Sequence, residues 1–158
     1  MNRFAQQTSV SPDRSRAEIQ AVLTRYGATA FMYGEQGGRA LICFQVNARM
    51  VKFVLDLPVA SDRDFTHTPT GRLRSQAERL KAHDQEVRRR WRALCLGIKA
   101  KLEFVQSGIS VFEKEFLAHL VLPSGEQVGD YVFRHADRLL SEPSSSALLL
   151  EFGQESKE

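Results

Sequence analysis

The chain has little cysteine and no long apolar run. Its two cysteines, Cys43 and Cys95, each lie inside a short apolar stretch, which indicates buried, reduced thiols and no disulfide framework. No stretch of about 18 apolar residues is present, which argues against a membrane-spanning helix. The first residues also lack an apolar signal core. We therefore expect a cytoplasmic protein that has no membrane partner.

Motifs for catalysis and for metal binding are lacking as well. The histidines are not at metal-ligand spacing, and no pair of cysteines supports a zinc site. The sequence contains no nucleophile elbow, no phosphate-binding loop and no dinucleotide fingerprint that opens a helix. We therefore predict a protein that is not an enzyme and that uses no metal and no cofactor.

The length and composition fit one globular domain. A chain of 158 residues with 42% hydrophobic and 26% charged residues can bury one core, with little room for a second. We predict a disordered leader over residues 1–10, a single domain over 11–140 and a flexible tail over 141–158. An exposed loop is predicted at 58–72, because this polar segment has no periodicity.

The pattern of apolar residues predicts an α+β fold. Ser11 and Pro12 favour the start of a first helix, and Gly27 favours its end. The next segments predict a three-stranded antiparallel meander: Thr29–Tyr33, Arg39–Val46 and Met50–Leu57, joined by turns at Gly34–Gly38 and Asn47–Arg49. Such a small sheet needs a helix over its apolar face.

A long basic helix, Leu73–Gln106, is predicted to cover the sheet. Its apolar residues recur at intervals of three and four from Leu73, Ala77 and Leu80 onwards. A helical C-terminal subdomain follows. It comprises a third helix that starts at a capping box, Ser110–Glu113, and a fourth over Val128–Leu140 with Tyr131 and Val132 facing inward.

Charge is concentrated on the long helix. From residue 71 to 101 the chain has ten basic and three acidic residues, a net charge of +7, whereas the whole chain carries +3. This concentration favours a polyanionic partner, most simply nucleic acid. Beyond residue 107 the net charge is −5, so an alternative is that the acidic C-terminal third packs near the helix and neutralises it.

Four cations of the helix are predicted to form one row. Lys81, Arg88, Arg92 and Lys99 are separated by seven, four and seven residues, and so fall within roughly 20° of one line on a helix. We predict that they contact phosphates, together with Arg72 and Arg74 in the preceding loop. Phe65 in that loop has two interpretations: a group that stacks on bases, or a residue packed at the edge of the core.

Several motifs carry a resemblance to a known group of proteins. They are Phe65–Arg72, Arg90–Leu94, Ile98–Glu103, Phe112–His119 and Val121–Gly125. Together they resemble a widespread family of small, uncharacterised proteins of tailed bacteriophages and prophages. The resemblance implies a phage origin and action in the cytoplasm of a bacterial host, and it implies no activity. The order helix, meander, long basic helix is also similar to the core of phage single-strand annealing proteins of the Rad52 and Red-beta type.

These observations lead to a predicted function with alternatives. The prediction is a phage nucleic-acid-binding accessory protein in replication or recombination, with single-stranded DNA as the favoured partner. The first alternative is a phage protein that binds and inhibits a host protein, such as a defence or transcription factor. The second is a homo-oligomer that assembles through an open sheet edge or through the helix seam.

Overall fold

The computed structural model describes Ala5 and residues 7–136 and confirms the α+β fold. Half of the predicted leader, Ala5 and residues 7–10, lies within these described residues, whereas the predicted tail lies outside them. The helices and strands are α1 (Pro12–Arg25), β1 (Ala30–Gln36), β2 (Arg39–Val46), β3 (Arg49–Asp56), α2 (Arg63–Thr66), α3 (Gln76–Gln106), α4 (Phe112–Phe116) and α5 (Val128–Arg134), with a 3-10 turn at Leu117–His119.

The first helix starts and stops as predicted. Ser11 is its N-cap, and the Ser11 hydroxyl accepts a hydrogen bond from the backbone N–H of Arg14 at 3.2 Å. Pro12 occupies the first helical position, where its missing N–H costs nothing. Gly27 follows the helix with φ +93°, a left-handed conformation that suits glycine.

The three strands form an antiparallel sheet in the order β1-β2-β3. Both hairpins have two-residue turns with positive φ. The first is Gly37–Gly38, and the second is Asn47–Ala48. Positive φ at both turn residues matches the twist of the flanking strands. Because the first turn needs only two residues, β1 continues to Gln36, three residues beyond its predicted end.

One face of the sheet packs against α3. Phe44 and Val51 are fully buried on this face, and Trp91 and Ile98 of α3 belong to the same core cluster. Phe116 of α4 closes one end of this core. The opposite face of the sheet, called the outer face, carries Met32, Leu41, Met50 and Val54, all of them exposed or partly exposed.

The start of α3 depends on a capping box that was not predicted. The Ser75 hydroxyl accepts from the backbone N–H of Glu78 at 3.3 Å, and the Glu78 carboxylate accepts from the backbone N–H of Ser75 at 2.8 Å. The predicted capping box at Ser110 is wrong, because Val111 is the N-cap of α4. The backbone N–H of Ser110 instead bonds to the carbonyl of Phe104 at 3.1 Å and closes the end of α3.

The N-terminal part of α3 extends past the sheet. The whole of α3 has 31 residues and is roughly 46 Å long. β3 ends at Asp56, whose carbonyl accepts a hydrogen bond from the guanidinium of Arg90 in α3. The first turns of α3 therefore have no sheet beneath them, and Leu80 is 53% exposed. Leu73 precedes the helix, which starts at Gln76, and is 65% exposed. The prediction that these two residues belong to a buried seam is wrong.

The C-terminal helices are shorter and more exposed than predicted. α5 ends at Arg134, and the predicted residues 137–140 lie outside the described residues. Tyr131 and Val132 are exposed, so the prediction that they face inward is wrong. The close contact of α5 is made by Gly129, which lies against the backbone of Ala118.

Candidate nucleic-acid interface

Most basic residues of α3 and of the segment just before it have hydrogen-bond or ion-pair partners within the fold. Six of the ten predicted cations pair with carboxylates: Arg72 with Glu78, Arg89 and Arg90 with Glu86, Arg92 and Lys99 with Glu18, and Lys101 with Glu115. Three of the four acidic partners precede residue 107. Among residues 7–136, the neutralisation therefore comes mainly from α1 and from α3 itself, and Glu115 is the contribution of the C-terminal third.

Glu18 holds two members of the predicted row. Its carboxylate oxygens lie 2.6 Å from Arg92 Nη1 and 2.7 Å from Lys99 Nζ, so it bridges α1 and α3. Hydrogen bonds from Lys99 and then from Arg92 lower the pKa of Glu18. Arg92 and Lys99 are aligned with Lys81 and Arg88 as predicted, but both are engaged by this carboxylate, which offsets one of their two charges. We therefore do not count them among the free phosphate-binding groups.

Arg72 and Arg74 also have structural roles. Arg72 donates to Glu78 at 2.9 Å, and the pKa of Glu78 is lowered to about 2, first by the backbone N–H of Ser75 and then by Arg72. Arg74 Nη1 donates to the carbonyl of Asp64 at 2.7 Å. That bond leaves other N–H groups of Arg74 available.

Phe65 packs at the edge of the core. Its ring is 8% exposed and meets the ring of His83 edge to face, with centroids 5.6 Å apart. We therefore do not include Phe65 among the proposed contacts, since a base could reach the ring only if α2 came away from α3. The second interpretation, an edge-of-core residue, is confirmed.

The predicted loop at 58–72 is exposed along most of its length but has regular structure. It contains α2, and His67 then pairs with Leu73 in an antiparallel bridge. A tight turn closes this small hairpin, in which the backbone N–H of Gly71 donates to the carbonyl of Thr68 at 2.9 Å and Gly71 has φ +85°. Beside the hairpin lies a recess of about 410 Å³.

Three cations of α3 have no side-chain partner within the described part of the chain. They are Arg79, Lys81 and Arg88. Lys81 and Arg88 continue the line of Arg92 and Lys99 towards the N-terminus of α3. They lie on the part of the helix that extends past the sheet or borders it, where a long polymer can approach.

Arg14 of α1 joins this row and was not predicted. The carbonyl of Thr8 accepts from Gln85, and Glu18 pairs with Arg92, so α1 runs parallel to α3. Arg14 lies one turn before Glu18 on the same side of α1. From this register we infer that Arg14 lies at the level of α3 between Arg88 and Arg92. Its guanidinium pairs with no carboxylate among the described residues. We call Lys81, Arg88 and Arg14 the seam cations.

No family model, curated protein or solved structure matches this chain. The resemblance to phage proteins therefore stays a prediction. Within residues 7–136, no helix is long and apolar enough to cross a membrane, and no three metal-ligating side chains come together.

Proposed function

We propose that the protein is a nucleic-acid-binding accessory protein that contacts phosphates through the seam cations and Arg79. The observation that carries the proposal is the separation of the basic residues into two sets. Arg89, Arg90, Arg92 and Lys99 pair with carboxylates and hold the fold, whereas those at the extended end of α3 have no such partner in the described chain. A row of unpaired cations on a rigid helix suits the repeating charges of a phosphate backbone.

A preference for single strands is supported by the apolar surface beside these cations. Ala77 and Leu80 are exposed on the same extended part of α3, between Arg79 on one side of the helix and Lys81 on the other, and Leu73 is exposed just before the helix. Unpaired bases offer apolar faces to such side chains, whereas a duplex stacks its bases away. Single-stranded DNA is therefore the partner that we propose.

The biological setting is proposed from the sequence resemblance. A phage protein of this kind would act in the cytoplasm of the bacterial host, in replication or recombination. Its role would be binding without catalysis.

Fluorescence anisotropy with labelled single-stranded DNA, duplex DNA and RNA over a salt series tests the proposal. Four phosphate contacts predict that log K falls with log salt concentration with a slope of about −3 for a single strand. The test variant is K81E/R88E, and we expect it to weaken binding by about tenfold or more at low salt, since it removes two contacts and adds two repulsive charges.

The matched control is R49E/K114E, which changes the net charge equally. Arg49 begins β3 and Lys114 lies in α4; both are exposed and remote from the extended end of α3. Equal losses in both variants would show that only net charge matters. Unchanged affinity in a folded K81E/R88E protein would contradict the proposal.

A second candidate function is binding to a host protein, and the outer face of the sheet favours it. Met32 and Val54 are exposed there, and within the described residues β1 has no neighbour along its outer edge. A complex with an apolar centre would weaken little with salt. The same edge would also serve a homo-oligomer, which light scattering at several concentrations detects.

A further inference from the structure

The seam cations do not line the recess beside the hairpin of residues 67–73. Its volume is about 410 Å³, and it is lined by Arg63, Asp64, His67, Thr68, Pro69, Gly71 and Arg74. Two arginines and a histidine therefore line one concave space. The side chain of Arg63 has no hydrogen-bond or ion-pair partner in the described chain, so its donors are available to a ligand.

The groups that line the recess are held in place. Arg74 Nη1 donates to the carbonyls of Asp64 and Phe65, at 2.7 and 3.5 Å, which fixes the guanidinium plane and leaves Nε and Nη2 to donate elsewhere. Thr66 Oγ1 lies 3.2 Å from the carbonyl of Asp62 and 2.9 Å from His67 Nδ1. The hydrogen bond between Thr66 Oγ1 and His67 Nδ1 orients the imidazole ring, whichever of the two atoms donates.

The charges of the recess favour a dianion. Its two guanidinium groups face one carboxylate, that of Asp64, which opposes any anion. A phosphodiester carries one charge, whereas a phosphomonoester carries about −1.5 to −2 near neutral pH and has three terminal oxygens for hydrogen bonds. The attraction to the excess positive charge of the recess is therefore up to twice as large for the monoester.

We propose that this recess binds the terminal phosphate of a nucleic-acid strand. This inference rests on the proposed function, because the rest of that strand would contact the seam cations. Arg63 and Arg74 would donate to the phosphate oxygens. α3 begins just after Arg74, and Lys81 lies about 9 Å further along the helix axis. This distance corresponds to roughly three stacked nucleotides.

The test compares oligonucleotides that differ only at their ends. The probes are one single-stranded DNA sequence with a 5′-phosphate, with a 3′-phosphate or with hydroxyl ends, and the measured quantity is the ratio of the hydroxyl-ended Kd to the phosphorylated Kd. We expect about a tenfold preference for one phosphorylated end, the size of a charge-assisted hydrogen bond. Inorganic phosphate at millimolar concentration should reduce this preference.

Two variants of the recess should shift the ratio in opposite directions. Arg63→Gln removes a cation, and we expect the ratio to fall towards one. Asp64→Asn removes the opposing carboxylate, and we expect the ratio to rise. Both side chains are exposed, so thermal unfolding by circular dichroism should match the parent protein. K81E/R88E should weaken all probes and leave the ratio unchanged.

The outcomes separate the two proposals. Binding of all probes with a ratio of one would overturn the terminal-phosphate site and leave the nucleic-acid function standing. No binding of any probe at low salt would overturn both. A preference that Arg63→Gln and Asp64→Asn leave unchanged would overturn the assignment of the site to this recess.

Discussion

Replacing Glu18 by Gln tests whether the α1–α3 bridge supports the fold. Glu18 accepts hydrogen bonds from Arg92 and Lys99, and all three side chains are partly exposed. Such partly solvated pairs stabilise far less than buried ones, so we expect Glu18→Gln to lower the free energy of unfolding by about 1 kcal/mol. For a chain of this length, that loss lowers Tm by about 2–4 °C. Urea denaturation followed by circular dichroism measures it.

The pH dependence of this loss identifies its cause. The pKa of Glu18 is lowered in the folded protein, so its contribution is complete above the ordinary pKa of an unfolded glutamate. It disappears as the pH falls through the folded-state pKa. The difference between the parent protein and Glu18→Gln should therefore be largest at neutral pH and smaller near pH 3. Glu78 and Glu86 titrate in both proteins and cancel in this comparison.

Glu18→Gln should lower the stability of the protein but raise its affinity for nucleic acid. Without the Glu18 carboxylate, Arg92 and Lys99 extend the row of seam cations. Affinity for single-stranded DNA should rise, and the salt slope should steepen by about 1. A stability difference as large near pH 3 as at neutral pH would refute the ionic interpretation, and an unchanged salt slope would refute the proposed neutralisation.

Three further substitutions test the packing, each by urea denaturation. Gly97→Ala should stabilise the protein by roughly 0.5–1 kcal/mol, because Gly97 is an exposed residue of α3 and a Cβ there meets nothing within 4 Å. Gly129→Ala should destabilise it by about 1–3 kcal/mol, since the Cβ would lie 2.7 Å from the carbonyl oxygen of Ala118. Phe116→Ala should cost about 3–5 kcal/mol, because its fully buried ring packs against Phe44. Equal stabilities for the two glycine variants would contradict these contacts.

The sequence predicted the elements better than their ends. The helix signals at Pro12 and Gly27 are local, and so they could be read without knowledge of the fold. The capping-box pattern occurs at Ser75 and again at Ser110, but only the first forms the box. The difference arises because the backbone of Ser110 is engaged by the end of α3, which the pattern itself does not reveal.

The candidate site shows the same limit. The alignment of Lys81, Arg88, Arg92 and Lys99 follows from helix geometry and could be calculated. Which of the four remain unpaired depends on Glu18, which lies 74 residues before Arg92 in the chain. A periodic apolar pattern likewise cannot say where the covering sheet ends, so the exposure of the first turns of α3 was not predictable.

The single tryptophan of the chain gives the protein a built-in optical signal. Trp91 is 1% exposed, with the ring of Tyr33 at 5.7 Å and the guanidinium carbon of Arg16 at 5.4 Å from its ring centroid. Its emission therefore reports the packing of α1, β1 and α3 together, and unfolding will shift that emission to longer wavelength. A strand bound to exposed cations does not reach the indole. One emission spectrum can thus separate a variant that has lost its partner from one that has lost its fold.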